Sequence, residues 1–272
     1  EKHYCNRAAL PDTMLELIGQ GDAAIKTVQK ILGRVDAACP KLPLGDVRLL
    51  APIPRPQKNI FCIGKNYVEH ALEFDKTGDV NTAVPKLPVV FSKPPTCVIG
   101  TGAIVKNHKH MTSKIDYEVE LAVIIGKTAS QVTKDKAYDY VFGYTIMNDV
   151  SARDLQKAHV QWLMGKSPDT FAPLGPCIVH KNDIPNPHNL AIKSVINGEL
   201  RQNANTKDMV FDIPTLIATI SSVITLEPGD IIATGTPAGV GGGFNPPKFL
   251  QPGDEMRLEI ENIGVLVNTL EK

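Results

Sequence analysis

The spacing of hydrophobic residues changes along the chain and divides it into a helical start and a strand-rich remainder. Between Pro11 and Ala38, apolar side chains recur every three to four residues, which predicts a helical hairpin broken at 19–22. Closely spaced prolines between residues 40 and 56 then exclude a long helix. We therefore predict a small N-terminal helical domain with a connector at 1–56 and a larger domain at 57–272.

Beyond residue 56, short strand-like runs alternate with turn residues. The predicted strands are Asn59–Ile63, Val89–Ser92, Glu118–Ile125, Tyr140–Met147, Leu190–Ile196, Asp230–Ala233 and Met256–Ile260. Helical patterns are chiefly Ala152–Met164 and Ile213–Ile224. This balance favours an α+β fold that is mainly β, built on antiparallel or mixed sheet and not on alternating βαβ units.

One predicted strand carries acids at every second position. Because side chains alternate across a strand, Asp116, Glu118 and Glu120 share one face. The same face continues with Ala122 and Ile124, which indicates that the carboxylates run into the protein interior. Carboxylates packed this closely repel each other and need a cation. The alternative is a half-exposed edge strand whose acidic face is solvated.

A second strand-like run, residues 141–149, also ends on an acid, Asp149. A carboxylate at a strand end is suitably placed to complete a site for a hard cation. Three carboxylates, with water and substrate filling the other positions, suit Mg²⁺ or Mn²⁺. Ca²⁺ fits less well, because no segment reads as a calcium loop.

Composition narrows the class of protein. The chain has 272 residues, 43% of them hydrophobic, with 29 Lys and Arg against 29 Asp and Glu. Zero formal charge argues against nucleic acid as the main partner, and no apolar run approaches the roughly 20 residues of a membrane span. The five cysteines are odd in number and contain no CxxC pair. We expect no membrane partner, no signal peptide and a cytoplasmic location.

Three further segments carry candidate chemistry. His70 and Glu73 are three residues apart, so on one helical turn the carboxylate could orient a general base, although an ordinary surface pair has the same spacing. The segment 151–156 and Lys166 place cations close to Asp149 in sequence. Residues 235–243 are glycine-rich but lead into prolines, so they read as a flexible loop beside a ligand site or as a plain surface turn.

Several segments together resemble the fumarylacetoacetate hydrolase family. They are "IGKNYVEHALE", "VVFSKPPTCVIG", "DYEVELAVIIGK", "VFGYTIMNDVSARDLQ", "GKSPDTFAPLGPCIV", "NGELRQ" and "GDIIATGTPAGVG". The resemblance covers about residues 57 to 270 and is most specific between Asp116 and Gln156. It implies a mixed β-sandwich roll for the catalytic domain at 57–272, and it is greatest to bacterial members that act on oxaloacetate or acylpyruvates.

The resemblance also implies roles for individual residues. It makes Glu118, Glu120 and Asp149 the ligands of Mg²⁺ or Mn²⁺, and Asp116 a supporting acid. It makes His70 and Glu73 a catalytic dyad on a short lid helix and places Lys166 against the reacting oxygen. The substrate-binding positions that it implies are Arg153, Gln156 and Thr236. The lid, about Phe74 to Leu87, is where members differ and where substrate choice is expected to lie.

These candidate residues and the family resemblance together predict a divalent-metal-dependent enzyme acting on 2-oxo dicarboxylic acids. Oxaloacetate decarboxylation or tautomerisation through a pyruvate-type enolate is the leading hypothesis, ahead of C–C bond hydrolysis of acylpyruvates. A non-catalytic scaffold on the same fold is the third possibility, although buried carboxylates without a cation are costly to keep. The resemblance further implies a homodimer.

Overall fold

The computed structural model describes residues 10–35, 39, 41–75 and 77–272. Within these residues the α-helices are α1 (Met14–Gln20), α2 (Asp22–Leu32), α3 (Val68–Glu73), α4 (Val80–Ala83), α5 (Arg153–Ala158), α6 (Leu163–Lys166) and α7 (Ile213–Ser221). Short 3₁₀ turns cover Leu44–Asp46, Pro95–Cys97, Lys134–Tyr140, Lys181–Asp183, Thr206–Asp208 and Gly241–Gly243.

Strands make up most of the regular structure after residue 59. They are β1 (Ile60–Gly64), β2 (Val89–Lys93), β3 (Val98–Ile99), β4 (Ile104–Val105), β5 (Ile115–Asp116), β6 (Val119–Ile125), β7 (Val141–Asn148), β8 (Ser151–Ala152), β9 (Ala172–His180), β10 (Ala191–Ile196), β11 (Glu199–Asn205), β12 (Ile231–Ala233), β13 (Glu255–Ile260) and β14 (Gly264–Leu270). Few helices beside many strands confirm the α+β, mainly β fold class.

Two large sheets and a small one organise these strands. The seven-stranded sheet has the order β2-β1-β12-β6-β7-β9-β3, and the five-stranded sheet has the order β11-β10-β13-β14-β4. Most pairs are antiparallel, but β1 runs parallel to β12, β3 to β9 and β14 to β4. The sheets are therefore mixed, as predicted. The small sheet pairs β5 with β8 and brings residue 116 beside residue 151.

The alternation along β6 places its side chains in two different cores. Val119, Leu121 and Val123 belong to one apolar cluster with residues of β10 and β13, so this cluster joins the two large sheets. Ala122 and Ile124 face the opposite side, in a second cluster that includes Ile18 of α1. Glu120 shares their face and is only 1% exposed. The acidic face of this segment is thus buried, and the alternative prediction of an edge strand with a solvated acidic face is wrong.

Two predicted elements differ in detail. The acidic run 116–126 is interrupted, because 115–116 pairs with β8 whereas β6 begins at Val119 and pairs with β7 and β12. The helix predicted over 152–164 is two short helices, α5 and α6. They pack so closely that a Cβ on Gly165 would lie 2.4 Å from the backbone nitrogen of Gln156, so the chain must turn back between them.

The N-terminal helical hairpin is present as α1 and α2, which are separated by Gly21 at a φ of 58°. Thr13 and Glu16 form a capping box at the start of α1. Residues 36–38, at the end of the predicted hairpin, lie outside the described residues, and the domain boundary near residue 56 stays a prediction. Among the described residues, none of the helices has the length and apolarity that crossing a membrane requires.

Candidate active site

Glu118, Glu120 and Asp149, the acidic triad, meet at the centre of the seven-stranded sheet. Glu120 lies on β6, Glu118 directly precedes this strand, and Asp149 follows β7, its antiparallel neighbour. A hydrogen bond from the backbone nitrogen of Asp149 to the carbonyl of Glu118, 2.9 Å long, ties the two segments together. One oxygen of each carboxylate lies within 4.8 Å of the others, and all three residues are buried. The structure therefore brings together the three predicted ligands.

Lys166, at the end of α6, neutralises part of this negative charge. Its Nζ lies 2.6 Å from Oε2 of Glu118 and 2.7 Å from Oδ2 of Asp149. Burial lowers the pKa of Lys166, but the two carboxylates outweigh burial and raise that pKa above its ordinary value. The ammonium group is therefore charged, and it can donate hydrogen bonds to an oxygen that gains negative charge.

Arg153 and Asp116 form the support beside Glu118. Nε of Arg153 donates to Oδ2 of Asp116 at 2.8 Å, and an Nη of Arg153 lies 2.7 Å from Oε1 of Glu118. Burial raises the pKa of Glu118, but Lys166 and Arg153 outweigh burial and hold that pKa below its ordinary value. Gln156 accepts a 3.0 Å hydrogen bond from Arg153. Asp116 thus has the supporting position that the family resemblance implies.

Lys93 is a further buried cation of the site, and it was not predicted from the sequence. It is fully buried at the end of β2, with Nζ 2.5 Å from Oδ1 of Asp149 and 2.9 Å from the carbonyl oxygen of Val150. A lysine that ends an edge strand is ordinarily exposed, so no local pattern marked it. Its position in the quoted segment "VVFSKPPTCVIG" was the one available signal.

The carboxylates around the acidic triad carry more negative charge than the neighbouring cations neutralise. Among the described residues of this site, four buried carboxylates (Asp116 and the triad) face three cations: Lys93 and Lys166, which are buried, and Arg153, whose side chain is 10% exposed. Glu120 accepts a 2.9 Å hydrogen bond from the Gly235 nitrogen and forms no ion pair with a described residue. Burial, and after it Asp149 and Glu118, raise the pKa of Glu120 well above its ordinary value. A hard divalent cation fits this oxygen-only donor set.

The His70 and Glu73 side chains form a hydrogen-bonded dyad on α3. Nδ1 of His70 lies 2.8 Å from Oε2 of Glu73, and Oε1 of Glu73 accepts a 2.7 Å hydrogen bond from the Gly239 nitrogen. His70 is 8% exposed and lines the same cavity as Glu118 and Glu120. With Nδ1 committed to Glu73, Nε2 is the nitrogen left for proton transfer.

The glycine loop, residues 235–243, connects the dyad with the acids. Its backbone nitrogens donate to Glu73, Glu120 and Asp116. A Cβ on Gly239 would lie 1.9 Å from the carbonyl oxygen of Arg201, and a Cβ on Gly243 would lie 2.4 Å from Oε1 of Glu73. The glycines are therefore needed for close approach of the backbone. The loop lies beside the candidate site, as one of the two interpretations expected, and the plain surface turn is wrong.

Thr236, in the glycine loop, faces the cavity and is 2% exposed. Its Oγ1 accepts a 2.7 Å hydrogen bond from Nε2 of Gln202, so its hydroxyl proton is free to bind a substrate carboxylate. Gln202 is fully buried on β11 and also accepts hydrogen bonds from Val119 and Ser194. No local pattern in the sequence predicts a role for Gln202, although it ends the segment "NGELRQ" of the family resemblance.

The cavity has a volume of about 530 Å³ and an open rim. All the predicted catalytic and substrate-binding residues line it, together with Glu118 and Glu120; further lining residues are Ile63, Gly64, Lys65, Phe74, Asp75, Phe91, Lys157 and Trp162. The predicted lid, 74–87, supplies Phe74 and Asp75, and it contains α4. Residue 76 of this segment lies outside the described residues, and the role of the lid in substrate choice stays a prediction.

Comparison with known proteins gives a family match and several similar sequences. Residues 59–271 match the family model "Fumarylacetoacetate (FAA) hydrolase C-terminal". Oxaloacetate tautomerase YisK of Bacillus subtilis is 48% identical, over 99% of this chain and 90% of the relative. Human mitochondrial oxaloacetate tautomerase FAHD2A is 44% identical, over 95% of this chain and 80% of the relative.

Solved structures share the fold. A fumarylacetoacetate hydrolase from Exiguobacterium antarcticum is 43% identical, with a TM-score of 0.82 over 96% of this chain and 88% of that structure. Maleylpyruvate hydrolase from Sphingobium sp. SYK-6, in complex with manganese(II) ion and pyruvate, is 33% identical, with a TM-score of 0.76 over 95% and 85% of the two chains. Both similarities span nearly the whole described chain.

Proposed function

The chain belongs to the fumarylacetoacetate hydrolase family, and we propose that it is an oxaloacetate tautomerase that uses Mg²⁺ or Mn²⁺. The observation that carries the proposal is that the His70–Glu73 dyad lines the same cavity as Glu118 and Glu120, two members of the acidic triad. An ion held by Glu118, Glu120 and Asp149 would bind the carboxylate and keto oxygens of a 2-oxo acid and increase the acidity of its C3 protons. The oxaloacetate tautomerases among the relatives support this choice of reaction.

The protein's own groups then account for proton transfer. Nε2 of His70 removes a proton from C3 of the keto form, and Glu73 stabilises the imidazolium that results. Lys166 donates a hydrogen bond to the C2 oxygen as negative charge develops there. Gln156 and the hydroxyl of Thr236 orient the C1 carboxylate, while Arg153 holds Glu118 and Gln156 in position. Return of this proton from the imidazolium to the C2 oxygen completes the enol and regenerates neutral His70.

Lys65 is the group that we assign to the C4 carboxylate of oxaloacetate. Lys65 lines the cavity, and its side chain forms no ion pair or hydrogen bond with a described residue. The backbone holds it at a φ of 55°, a region that non-glycine residues adopt mostly in turns and at functional sites. Neighbouring Asn66 fixes this turn through hydrogen bonds with Phe211 and Thr234.

Replacement of Lys65 by alanine is expected to lower kcat/KM for oxaloacetate by about 10- to 100-fold. The reason is the loss of one charge-assisted hydrogen bond to the distal carboxylate. Steady-state kinetics checks this, with Lys109→Ala, a change in an exposed loop, as the matched control. Equal kinetics for the two variants would show that the C4 carboxylate is bound elsewhere.

The proposed function is tested by recording the consumption of the enol and the release of pyruvate separately. Manganese-loaded protein is mixed with the enol form of oxaloacetate, and the enol absorbance is recorded together with pyruvate release in a coupled assay. We expect the enol to disappear faster than in buffer, with pyruvate released much more slowly. Equal rates for both signals would make the protein a decarboxylase and contradict the tautomerase proposal.

Acylpyruvate hydrolysis is the second candidate, and the similarity to the maleylpyruvate hydrolase structure supports it. In that reaction His70 would activate water against the distal carbonyl, and the C–C bond would break to release pyruvate. Faster cleavage of fumarylpyruvate than ketonisation of oxaloacetate would favour this reaction. A homodimer and a cytoplasmic location stay predictions, and sedimentation of the purified protein tests the first.

A further inference from the structure

The cavity is larger than oxaloacetate requires. Its volume of about 530 Å³ lies in the range of roughly 300–1,000 Å³ that holds drug-sized ligands. Oxaloacetate is a four-carbon acid, and its polar groups can all be bound at the triad, Thr236, Gln156 and Lys65. A substantial part of the cavity is therefore free for a larger substituent.

Two aromatic rings line this free part. Phe91 lies on β2 and Trp162 immediately precedes α6, and their ring centroids are 5.4 Å apart at an interplanar angle of 67°. Both side chains line the cavity. We call these two residues the aromatic wall. Edge-to-face rings of this kind present an apolar surface on which a third ring can stack.

The backbone around the aromatic wall is shaped to hold it. Gly64, the last residue of β1, lies directly under the indole, because a Cβ there would lie 2.3 Å from a ring carbon of Trp162. Any other residue at position 64 would therefore displace the ring. The wall thus depends on a close approach built into the sheet.

The aromatic wall also borders the reacting groups. Nζ of Lys166 lies 5.0 Å from the centroid of Phe91 while it hydrogen-bonds to Glu118 and Asp149. A substrate whose C2 oxygen faces Lys166 would therefore carry its C3 substituent within reach of Phe91. Neither residue of the aromatic wall carries a positive charge, so the wall suits an apolar substituent better than a carboxylate.

We propose that the enzyme also enolises arylpyruvates, 2-oxo acids that carry an aromatic ring on C3, with that ring on Phe91 and Trp162. This inference rests on the proposed tautomerase function and extends its substrate class. The C3–H bond breaks as His70 accepts the proton, the C2–C3 double bond forms, and the imidazolium returns this proton to the C2 oxygen. The reaction needs no oxidant or further reactant, and the ring stabilises the enol by conjugation.

Binding can be measured directly, because Trp162 is the only tryptophan in the sequence. Manganese-loaded protein is titrated with phenyllactate, which carries the ring but cannot enolise, and with lactate, which lacks the ring. We expect phenyllactate to change the tryptophan fluorescence saturably, whereas lactate at equal concentration does not. Equal responses to the two acids would overturn the assignment of the wall.

Catalysis is measured by the enol absorbance of phenylpyruvate, with oxaloacetate assayed in parallel. We expect acceleration of both reactions. Trp162→Ala should lower kcat/KM for phenylpyruvate about tenfold more than for oxaloacetate. Trp162→Phe should preserve most of the phenylpyruvate activity, which would show that the segment around residue 162 is still folded in the variants. Lys65→Ala should have the opposite effect and lower kcat/KM more for oxaloacetate than for phenylpyruvate.

The outcomes separate the two proposals. Turnover of oxaloacetate without acceleration of phenylpyruvate would overturn the arylpyruvate activity and leave the tautomerase function standing. Acceleration of neither substrate would overturn both. Equal losses for the two substrates in Trp162→Ala would show that the aromatic wall is not a substrate subsite.

Discussion

Replacement of Glu118 by glutamine is expected to abolish tight Mn²⁺ binding and, with it, turnover. Glu118 is the member of the acidic triad that touches both Lys166 and Arg153. An amide keeps the size of the side chain but removes the charge, so three cations would then face three carboxylates and the attraction for a further cation would fall. Neutral amide oxygens are also weaker ligands for hard ions than carboxylates.

Calorimetry with Mn²⁺ measures this effect without relying on activity. Wild-type protein should also gain about 2.7 kcal/mol of unfolding free energy at an ion concentration 100-fold above Kd, which appears as a rise in Tm. Glu118→Gln should show no such rise, whereas Glu255→Gln, at an exposed position on β13, should behave as wild type. Wild-type affinity in Glu118→Gln would place the ion elsewhere.

Loss of either member of the dyad is expected to lower kcat on the order of 10²–10⁴-fold. His70→Ala removes the proton acceptor. Glu73→Gln leaves the ring in place but removes the charge that holds Nδ1 and stabilises the imidazolium. Neither residue belongs to the acidic triad, so Kd for Mn²⁺ should change little.

A matched control lies on the same helix. Glu69→Gln changes an exposed glutamate one residue before His70 and should leave kcat unaltered. Comparable kcat values for Glu69→Gln and Glu73→Gln would mean that the carboxylate of Glu73 contributes nothing to proton transfer. Normal turnover of His70→Ala would show that the ion and Lys166 suffice for the reaction.

The acidic triad could be located from sequence because its signals are local. Alternation puts Glu118 and Glu120 on one face, and the end of a strand-like run marks Asp149. The family resemblance was needed to choose between Asp116 and Asp149. The structure adds the physical reason, since Asp116 is already committed to Arg153 and to two backbone nitrogens of the glycine loop.

What sequence reasoning missed depends on contacts between distant segments. Lys93 and Gln202 are buried only because β2 ends beside Asp149 and β11 runs beside Thr236. Strand β9 was not predicted, because Pro173 and Pro176 lie within it and proline argues against a strand interior. The break between α5 and α6 is likewise a tertiary effect, fixed by the close approach at Gly165.

The site has two halves that lie in different parts of the seven-stranded sheet. The acidic triad sits where β6 and β7 meet, each with a neighbouring strand on its other side, whereas Phe91 lies on the edge strand β2 and Trp162 lies outside any strand. Substitutions at the edge disturb fewer buried contacts than substitutions at the centre. After gene duplication, a copy could therefore acquire a new substrate through substitutions at the edge while the acidic triad at the centre is retained, and this architecture is well suited to divergent evolution.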